Sequence, residues 1–291
     1  MPGRLESFLA RFDSDTTGPD RSKSRSFQII VTLVLCGEYW TQSLRGWSLL
    51  GVGDFLALAI VTSACPAVIT DRGRRIAFAA LVGLQIWYIW ANFPHTGNHR
   101  YLELFFVGLF AVLDDRRADE RRLLLQSLRF AVVVVLFYSG LQKLIHGYWF
   151  HGQFLAWSMW RESFDVALAP LFSPAELERL SGLEGVAGDG PYRVAGLHLT
   201  LLSNAVWASE MSLALLLLVR RTRVLAWVVA AGLIVAVQIV ARELMFGLEF
   251  LGAILLFARR DLVSRAVWPV VAGLALLLMM RLGLLPEMIF H

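Results

Sequence analysis

The sequence predicts an all-α integral membrane protein, a polytopic bundle of eight or nine transmembrane helices. Two observations lead to this fold class. Of the 291 residues, 57% are hydrophobic and only 17% are charged, whereas soluble domains carry about 25% charged residues. The charges also lie in short clusters between long apolar runs, and the mean hydropathy is +0.61. This composition excludes a soluble cytosolic enzyme, a disordered chain and a disulfide scaffold.

The apolar runs give the individual elements in chain order. A helix needs roughly 20 mainly apolar residues to cross a bilayer. Seven runs reach or approach that length, at 27–44, 52–69, 76–93, 129–146, 199–219, 224–241 and 267–285. The shorter runs 101–113 and 244–258 reach it only by including flanking polar residues. We expect nine spans, or eight if one of the short runs is re-entrant.

The basic residues give an orientation. Cytoplasmic loops are enriched in Lys and Arg, and with the N-terminus inside, every inside loop of this chain carries more cations than any short outside loop. The net charge of +4 is therefore a topology signal, and we expect no nucleic-acid partner. We interpret residues 1–26 as a flexible cytoplasmic tail and 27–291 as the membrane domain. The localisation that we expect is a bacterial inner membrane.

All six histidines fall in predicted outside loops or at the outer ends of spans. The longest connection, 147–198, is also outside, and its Pro and Gly residues bound a short amphipathic helix near 174–181. Its first part, WFHGQFLAWSMW, is rich in aromatic residues, which indicates that it lies in the interface or folds back into the membrane. An ordinary interfacial belt of aromatic residues explains the same tryptophans.

Ionisable residues within spans are costly and by default mark functional sites. In this sequence they are Glu38, Glu103, Lys143, Glu210 and Glu249. Glu210 lies near mid-membrane by its position in the span from 199. Two interpretations of Glu210 stay open, a polar interhelical bond that orients helices and a group in a pocket or proton path.

Lys143 shares one helical face with Gly140, His146 and Gly147, which lie three or four residues away. The glycines predict open space beside the amine. An amine in an apolar pocket loses affinity for its proton and can act as a base near neutral pH. The alternative is a lysine that extends its amine toward the interface.

Two segments carry a family resemblance, GNHRYLELFFVGLFAVLDD at 97–115 and FYSGLQKLIHGYWFHGQFL at 137–155. They resemble the membrane domain shared by the vitamin K-dependent gamma-carboxylases and the horizontally transferred transmembrane (HTTM) proteins of bacteria. Glu210, within WASEMSLALLLL, is a weaker third match. Together the matches cover most of residues 90–260. A similar Gly-x-x-Lys also occurs in small four-helix membrane proteins of the DoxX type.

In the carboxylases a lysine deprotonates vitamin K hydroquinone, and the resemblance places that base at Lys143 and its helper at His99. It implies a reduced quinone as cofactor and no metal. The substrate-binding residues that we expect are Asn98, His146, Trp149, Glu210 and Gln238. Gln238 replaces a family histidine, and the sequence ends at His291 without the large extramembrane domain of the carboxylases. Quinol chemistry is therefore expected more than carboxylation of tagged proteins.

Two interpretations of the function remain open. The chain is either an enzyme that binds a lipid-soluble small molecule or a non-catalytic membrane subunit that binds a protein partner at its outer face. A metal site at His95 and His99 is disfavoured, because Pro94 and Gly97 indicate a loop there and no Cys, Asp or Glu stands at ligand spacing.

Overall fold

The computed structural model describes residues 20–45, 51–160, 168–183, 192–241, 244–258 and 260–281. Within those ranges it contains eleven α-helices, two short 3-10 helices and no strand, which confirms the all-α prediction. In chain order the helices are α1 Arg21–Arg45, α2 Val52–Thr70, α3 Arg74–Asn92, α4 Asn98–Val112, α5 Ala118–His146, α6 Gln153–Trp160, α7 Pro174–Ser181, α8 Leu197–Leu218, α9 Arg223–Ala241, α10 Leu244–Ile254 and α11 Arg260–Arg281. The 3-10 helices are Ala169–Leu171 and Leu255–Phe257.

Each of the nine apolar runs coincides with a helix as far as the described residues extend. Four helical segments are long and apolar enough to cross a membrane, namely α2, α5, α8 and Leu262–Met280 of α11. Helix α4 has only 15 residues, a length of about 22 Å against a hydrocarbon core of about 30 Å. The membrane character of the chain therefore rests on these four helices.

Helix α1 begins earlier than the sequence predicted. Lys23 is only 1% exposed, and its Nζ donates to the carbonyl oxygen of Ala258 at 2.8 Å. Ser24 Oγ donates to Asp115 Oδ2 at 3.1 Å. Residues 21–26 are therefore part of α1 and not of a flexible tail. Polar side chains among them have partners far along the chain. Residues 1–19 of the predicted tail lie outside the described residues.

The chain forms two compact units where the sequence predicted one membrane domain. The first contains the described residues up to Phe130 and those from 244 onward, and the second contains 131–241. The division falls within α5. In the first unit, α1 packs against α11 through a core of Ile30, Val34, Val270 and Leu274.

Ion pairs join the ends of four helices of the first unit. Arg21 at the start of α1 pairs with Asp71 after α2 at 2.7 Å. Arg74 at the start of α3 pairs with Asp115 and Asp114, after α4, at 2.6 and 3.2 Å. The structure thus brings together three of the five basic segments that the sequence assigned to the inner side. We call this group the polar end of the first unit.

In the second unit, the described residues of the predicted outer segment 147–198 form a folded part of the chain; residues 161–167 and 184–191 lie outside the described residues. Helix α7 confirms the short helix predicted at 174–181, and Ser173 caps it by accepting a hydrogen bond from the Glu176 amide at 3.2 Å. A core joins α6 and α7 to the start of α8; its buried residues are Leu155, Ala156, Met159, Leu168, Phe172, Leu180, Tyr192, Val194 and Leu199. The aromatic segment is therefore partly core rather than only interfacial.

Candidate functional site

Lys143 lies in the last turn of α5, in the second unit, and forms an ion pair with Glu210 of α8. Its Nζ is 2.8 Å and 2.7 Å from the two Glu210 carboxylate oxygens and 2.7 Å from Ser139 Oγ. The centroid of the Trp149 ring is 5.3 Å away. The side chains of Lys143 and Glu210 are 19% and 10% exposed. The amine therefore faces an anion and a hydroxyl, and the predicted apolar pocket is wrong.

The two glycines near Lys143 do not create open space, so that prediction is wrong as well. A Cβ on Gly140 would lie 2.6 Å from Met211 Cγ and 2.7 Å from the Trp207 carbonyl oxygen, so Gly140 permits the close approach of α5 and α8. Gly147 has a φ of 73°, and its N–H donates to the Lys143 carbonyl at 3.3 Å. It ends α5 in the left-handed conformation that glycine adopts readily.

The turn after α5 is held by aromatic contacts and by α8. The His146 ring stacks on Tyr148, with centroids 6.3 Å apart. Trp149 stacks on Phe154 at 4.7 Å, and its carbonyl accepts a hydrogen bond from Ser203 Oγ at 2.7 Å. Helix α8 thus supplies the carboxylate and also anchors the turn that carries Trp149 beside the amine.

The remaining predicted site residues are divided between the units. Gln238 lies in α9, in the second unit, and within the described chain neither atom of its buried amide has a hydrogen-bond partner. Asn98 and His99 begin α4, in the first unit, where Asn98 is exposed. His99 Nε2 lies 3.9 Å from Glu38 Oε1, and its ring centroid lies 6.2 Å from that of Phe246. Asn98 and His99 therefore belong to a different unit from Lys143.

The first unit contains a second group of polar side chains, centred on Arg100. Arg100 is 1% exposed, and its Nη1 lies 2.6 Å from Glu38 Oε2 and 3.0 Å from Glu103 Oε2. Gln85 Nε2 donates to the same Glu103 oxygen at 2.8 Å. Helices α1, α3 and α4 supply these residues. We define the acidic cluster as Glu38, Gln85, His99, Arg100, Glu103 and Glu249.

Two tyrosine rings cover the guanidinium of Arg100. Its Cζ lies 5.3 Å from the Tyr39 centroid and 4.6 Å from the Tyr88 centroid. The rings meet edge to face at 5.8 Å. A cation over an aromatic face is attracted by the ring quadrupole, more strongly when water is removed. The tyrosines therefore hold Arg100 in place while its Nη1 group faces the two carboxylates.

Sequence reasoning missed Arg100, because it did not count this residue among the ionisable residues within spans. The signal was present: Arg100 and Glu103 are three residues apart, so they share one face of α4. Glu38, Glu103 and Glu249 were recognised only as separate residues. The sequence does not show that these residues, distant in the chain, lie close together in the fold.

Comparison with known proteins gives no match to any family model, curated protein or solved structure.

Proposed function

We propose that this chain is an integral membrane enzyme that takes a proton from a lipid-soluble substrate at the Lys143–Glu210 pair. The pair itself is the observation that carries the proposal. An amine lies within 2.8 Å of both oxygens of a carboxylate on two helices that are long and apolar enough to cross a membrane. Charged groups within helices of this kind are rare and usually line a substrate or proton path.

The geometry suits proton transfer from a weakly acidic hydroxyl. The proton of the Lys143 ammonium would first pass to the Glu210 carboxylate, a transfer that needs no large motion because the groups are in hydrogen-bond contact. The neutral amine would then take the proton of a hydroxyl bound beside it, and the oxygen anion that forms would face the Lys143 ammonium. The base is therefore the pair, rather than Lys143 alone.

A reduced quinone is the substrate class that we propose. Its phenolic hydroxyls supply the proton, its isoprenoid tail keeps it in the bilayer, and the Trp149 ring beside the amine offers a stacking surface. The resemblance of 97–115 and 137–155 to the carboxylase-like HTTM family supports the same class. In this proposal His146 and Gln238, which lie in the same unit as the pair, contact the substrate.

We further propose eight or nine spans with the N-terminus inside, in a bacterial inner membrane. The uneven distribution of basic residues supports this orientation. So does the polar end of the first unit, because it joins three segments that the orientation places on the same side.

The proposal is tested with full-length protein in nanodiscs, supplied with vitamin K hydroquinone in air. Quinol loss and epoxide formation are followed by chromatography. Lys143→Ala should abolish turnover. Lys143→Arg keeps a cation but cannot act as a base, since a guanidinium stays protonated, so it should also be inactive. Wild-type turnover in both variants would refute the proposal.

A paired variant separates chemistry from packing. Lys143→Met combined with Glu210→Leu replaces the ion pair by apolar side chains, which in buried sites is often neutral or stabilising. We expect a folded, inactive protein. Loss of turnover with an unchanged melting temperature assigns the pair to chemistry.

The second candidate function is a non-catalytic membrane subunit, in which the pair only orients α5 and α8. The close approach of these helices at Gly140 favours it. It predicts no quinol turnover by the wild type, with a protein partner that co-purifies in gentle detergent and dissociates when the outer segment is altered.

A further inference from the structure

We propose that the acidic cluster binds one divalent metal ion, with Glu38, His99 and Glu103 as ligands and Glu249 completing the site. The class of ion is a first-row transition metal such as Zn²⁺ or Mn²⁺. The inference concerns the first unit and does not depend on the chemistry of the Lys143–Glu210 pair.

The three ligand residues are already close. Each offers one ligand atom, and these atoms lie within 4.8 Å of one another. His99 Nε2 and Glu38 Oε1 are 3.9 Å apart. Oxygen and nitrogen ligands bind zinc at about 2.0–2.2 Å, which places neighbouring ligand atoms about 3 to 4 Å apart. Small side-chain rotations therefore bring the three atoms to one ion.

Arg100 and Gln85 orient the carboxylates so that they can bind such an ion. Both lie at Glu103 Oε2, at 3.0 Å and 2.8 Å, and Arg100 also meets Glu38 Oε2. Glu103 Oε1 is buried and has no hydrogen-bond partner among the described residues. Polar side chains that hold one oxygen of a ligating carboxylate orient its other oxygen toward the metal.

Glu249 is an independent observation that points to the same ligand. It comes from α10, is fully buried, and neither of its oxygens has a hydrogen-bond partner in the described part of the chain. Glu249 lies within electrostatic range of Glu103, Glu38 and Arg100. Phe246, three residues earlier and hence on the same face of α10, contacts the His99 ring. Helix α10 thus places a buried carboxylate, without a hydrogen-bond partner among the described residues, within electrostatic range of the cluster.

Charge balance favours a divalent cation. Three buried carboxylates stand against one guanidinium, which leaves two uncompensated negative charges when all are ionised and His99 is neutral. Uncompensated buried charge is strongly unfavourable. One divalent ion neutralises it. Three carboxylates and an imidazole suit zinc or manganese rather than a soft ion such as Cu(I).

This ligand set differs from the His95–His99 pair considered from the sequence. His99 and Glu103 are four residues apart on α4, but Glu38 and Glu249 come from helices that are distant in the chain, so the spacing does not reveal the full set. The ion would lie near Tyr39 and Tyr88, whose rings lie over Arg100.

The test uses full-length protein in nanodiscs, freed of metal by a chelator and then titrated with Zn²⁺. We expect one ion per chain to be retained after desalting, measured by mass spectrometry of the metal. Glu103→Gln and His99→Ala should each weaken binding at least about ten-fold. Glu210→Gln, which removes a carboxylate from the other unit, is the matched control and should bind as the wild type does. Absence of a retained ion, or equal binding by the Glu38→Gln, His99→Ala, Glu103→Gln triple variant, would overturn the site.

A measurement on the wild type keeps the test valid if variants unfold. X-ray absorption of the zinc-loaded protein should show nitrogen and oxygen ligands at about 2.0–2.2 Å, and zinc should raise the melting temperature. Sulfur ligands from Cys36 or Cys65 would contradict the proposal. So would a metal-free protein with an infrared band of protonated carboxyl that Glu249→Gln removes, because protons would then neutralise the cluster.

Discussion

At Gly140 the backbones of α5 and α8 come so close that a side chain has no room. The missing Cβ permits the contact with Met211 and Trp207, and Lys143, three residues later, thereby reaches Glu210. A residue without a side chain thus determines the partner of a charged one.

Replacing Gly140 tests this contact. Gly140→Ala places a methyl group 2.7 Å from the Trp207 carbonyl, which the backbone must move to accommodate. We expect a loss of about 1–3 kcal/mol in the free energy of unfolding, the range for overpacked sites. Gly232→Ala in α9 is the control, since nothing lies within 4 Å of its added Cβ. It should stabilise α9 by up to about 1 kcal/mol.

Unfolding of both variants in detergent, followed by circular dichroism, checks this prediction. Equal stability of the two variants would mean that α5 and α8 do not approach as described.

At the scale of elements, ion pairs at the polar end of the first unit connect the start of α1, the end of α2, the start of α3 and the segment between α4 and α5. Asp71 lies 2.7 Å from Arg21, 3.2 Å from Arg74 and 3.0 Å from Arg116. Burial opposes ionisation of Asp71, but the hydrogen bond from Arg116 and the charges of Arg74 and Arg25 outweigh it and lower the pKa of Asp71. The pKa of Asp114 is lowered in the same way, against its partial burial, by the Arg116 amide and by Arg74.

A pH dependence follows from these directions. A carboxyl whose pKa is lower in the folded state stabilises the fold fully above its unfolded pKa, about 3.9 for Asp, and this stabilisation is lost as pH falls through the folded pKa. We expect the melting temperature to fall between about pH 5 and pH 3. Asp71→Asn should lower stability at pH 7 by about 1 kcal/mol and reduce the acid-induced change.

The substitution suits this position because Asp71 has a φ of 64°, a conformation that Asn tolerates. Melting curves of both proteins at several pH values provide the measurement. An identical pH profile for the two would contradict a role for the Asp71 charge.

For the whole molecule, the proposed orientation is tested by labelling single cysteines in a variant without Cys36 and Cys65. Cysteine in place of Thr96, in the loop before α4, should react with an impermeant maleimide in right-side-out vesicles. Cysteine in place of Asp119, at the start of α5, should react only in inverted vesicles, because the positive-inside rule places that end in the cytoplasm. The reverse pattern would refute the orientation.

Hydropathy predicted the helices well because each apolar run is a local property of the chain. Even the short runs at 101–113 and 244–258 contain helix, in α4 and α10. The side-chain partners are a different matter. Lys143 pairs with Glu210, 67 residues away, and Arg100 of α4 pairs with Glu38 of α1. Periodicity shows which residues share a helical face but not which helix the face contacts, so the site environments could not be predicted from the sequence.

The burial of Arg100 has a consequence for how the protein is made. Helix α4 carries a charged pair, Arg100 and Glu103, on only 15 residues, so it is poorly suited to enter lipid on its own. The groups that compensate it, Glu38 on α1 and Gln85 on α3, are synthesised before α4 leaves the ribosome, whereas Glu249 follows much later. Glu38 and Gln85 are thus available to compensate the charged pair when α4 is synthesised. Glu249 is synthesised last and would join the residues that are already in place.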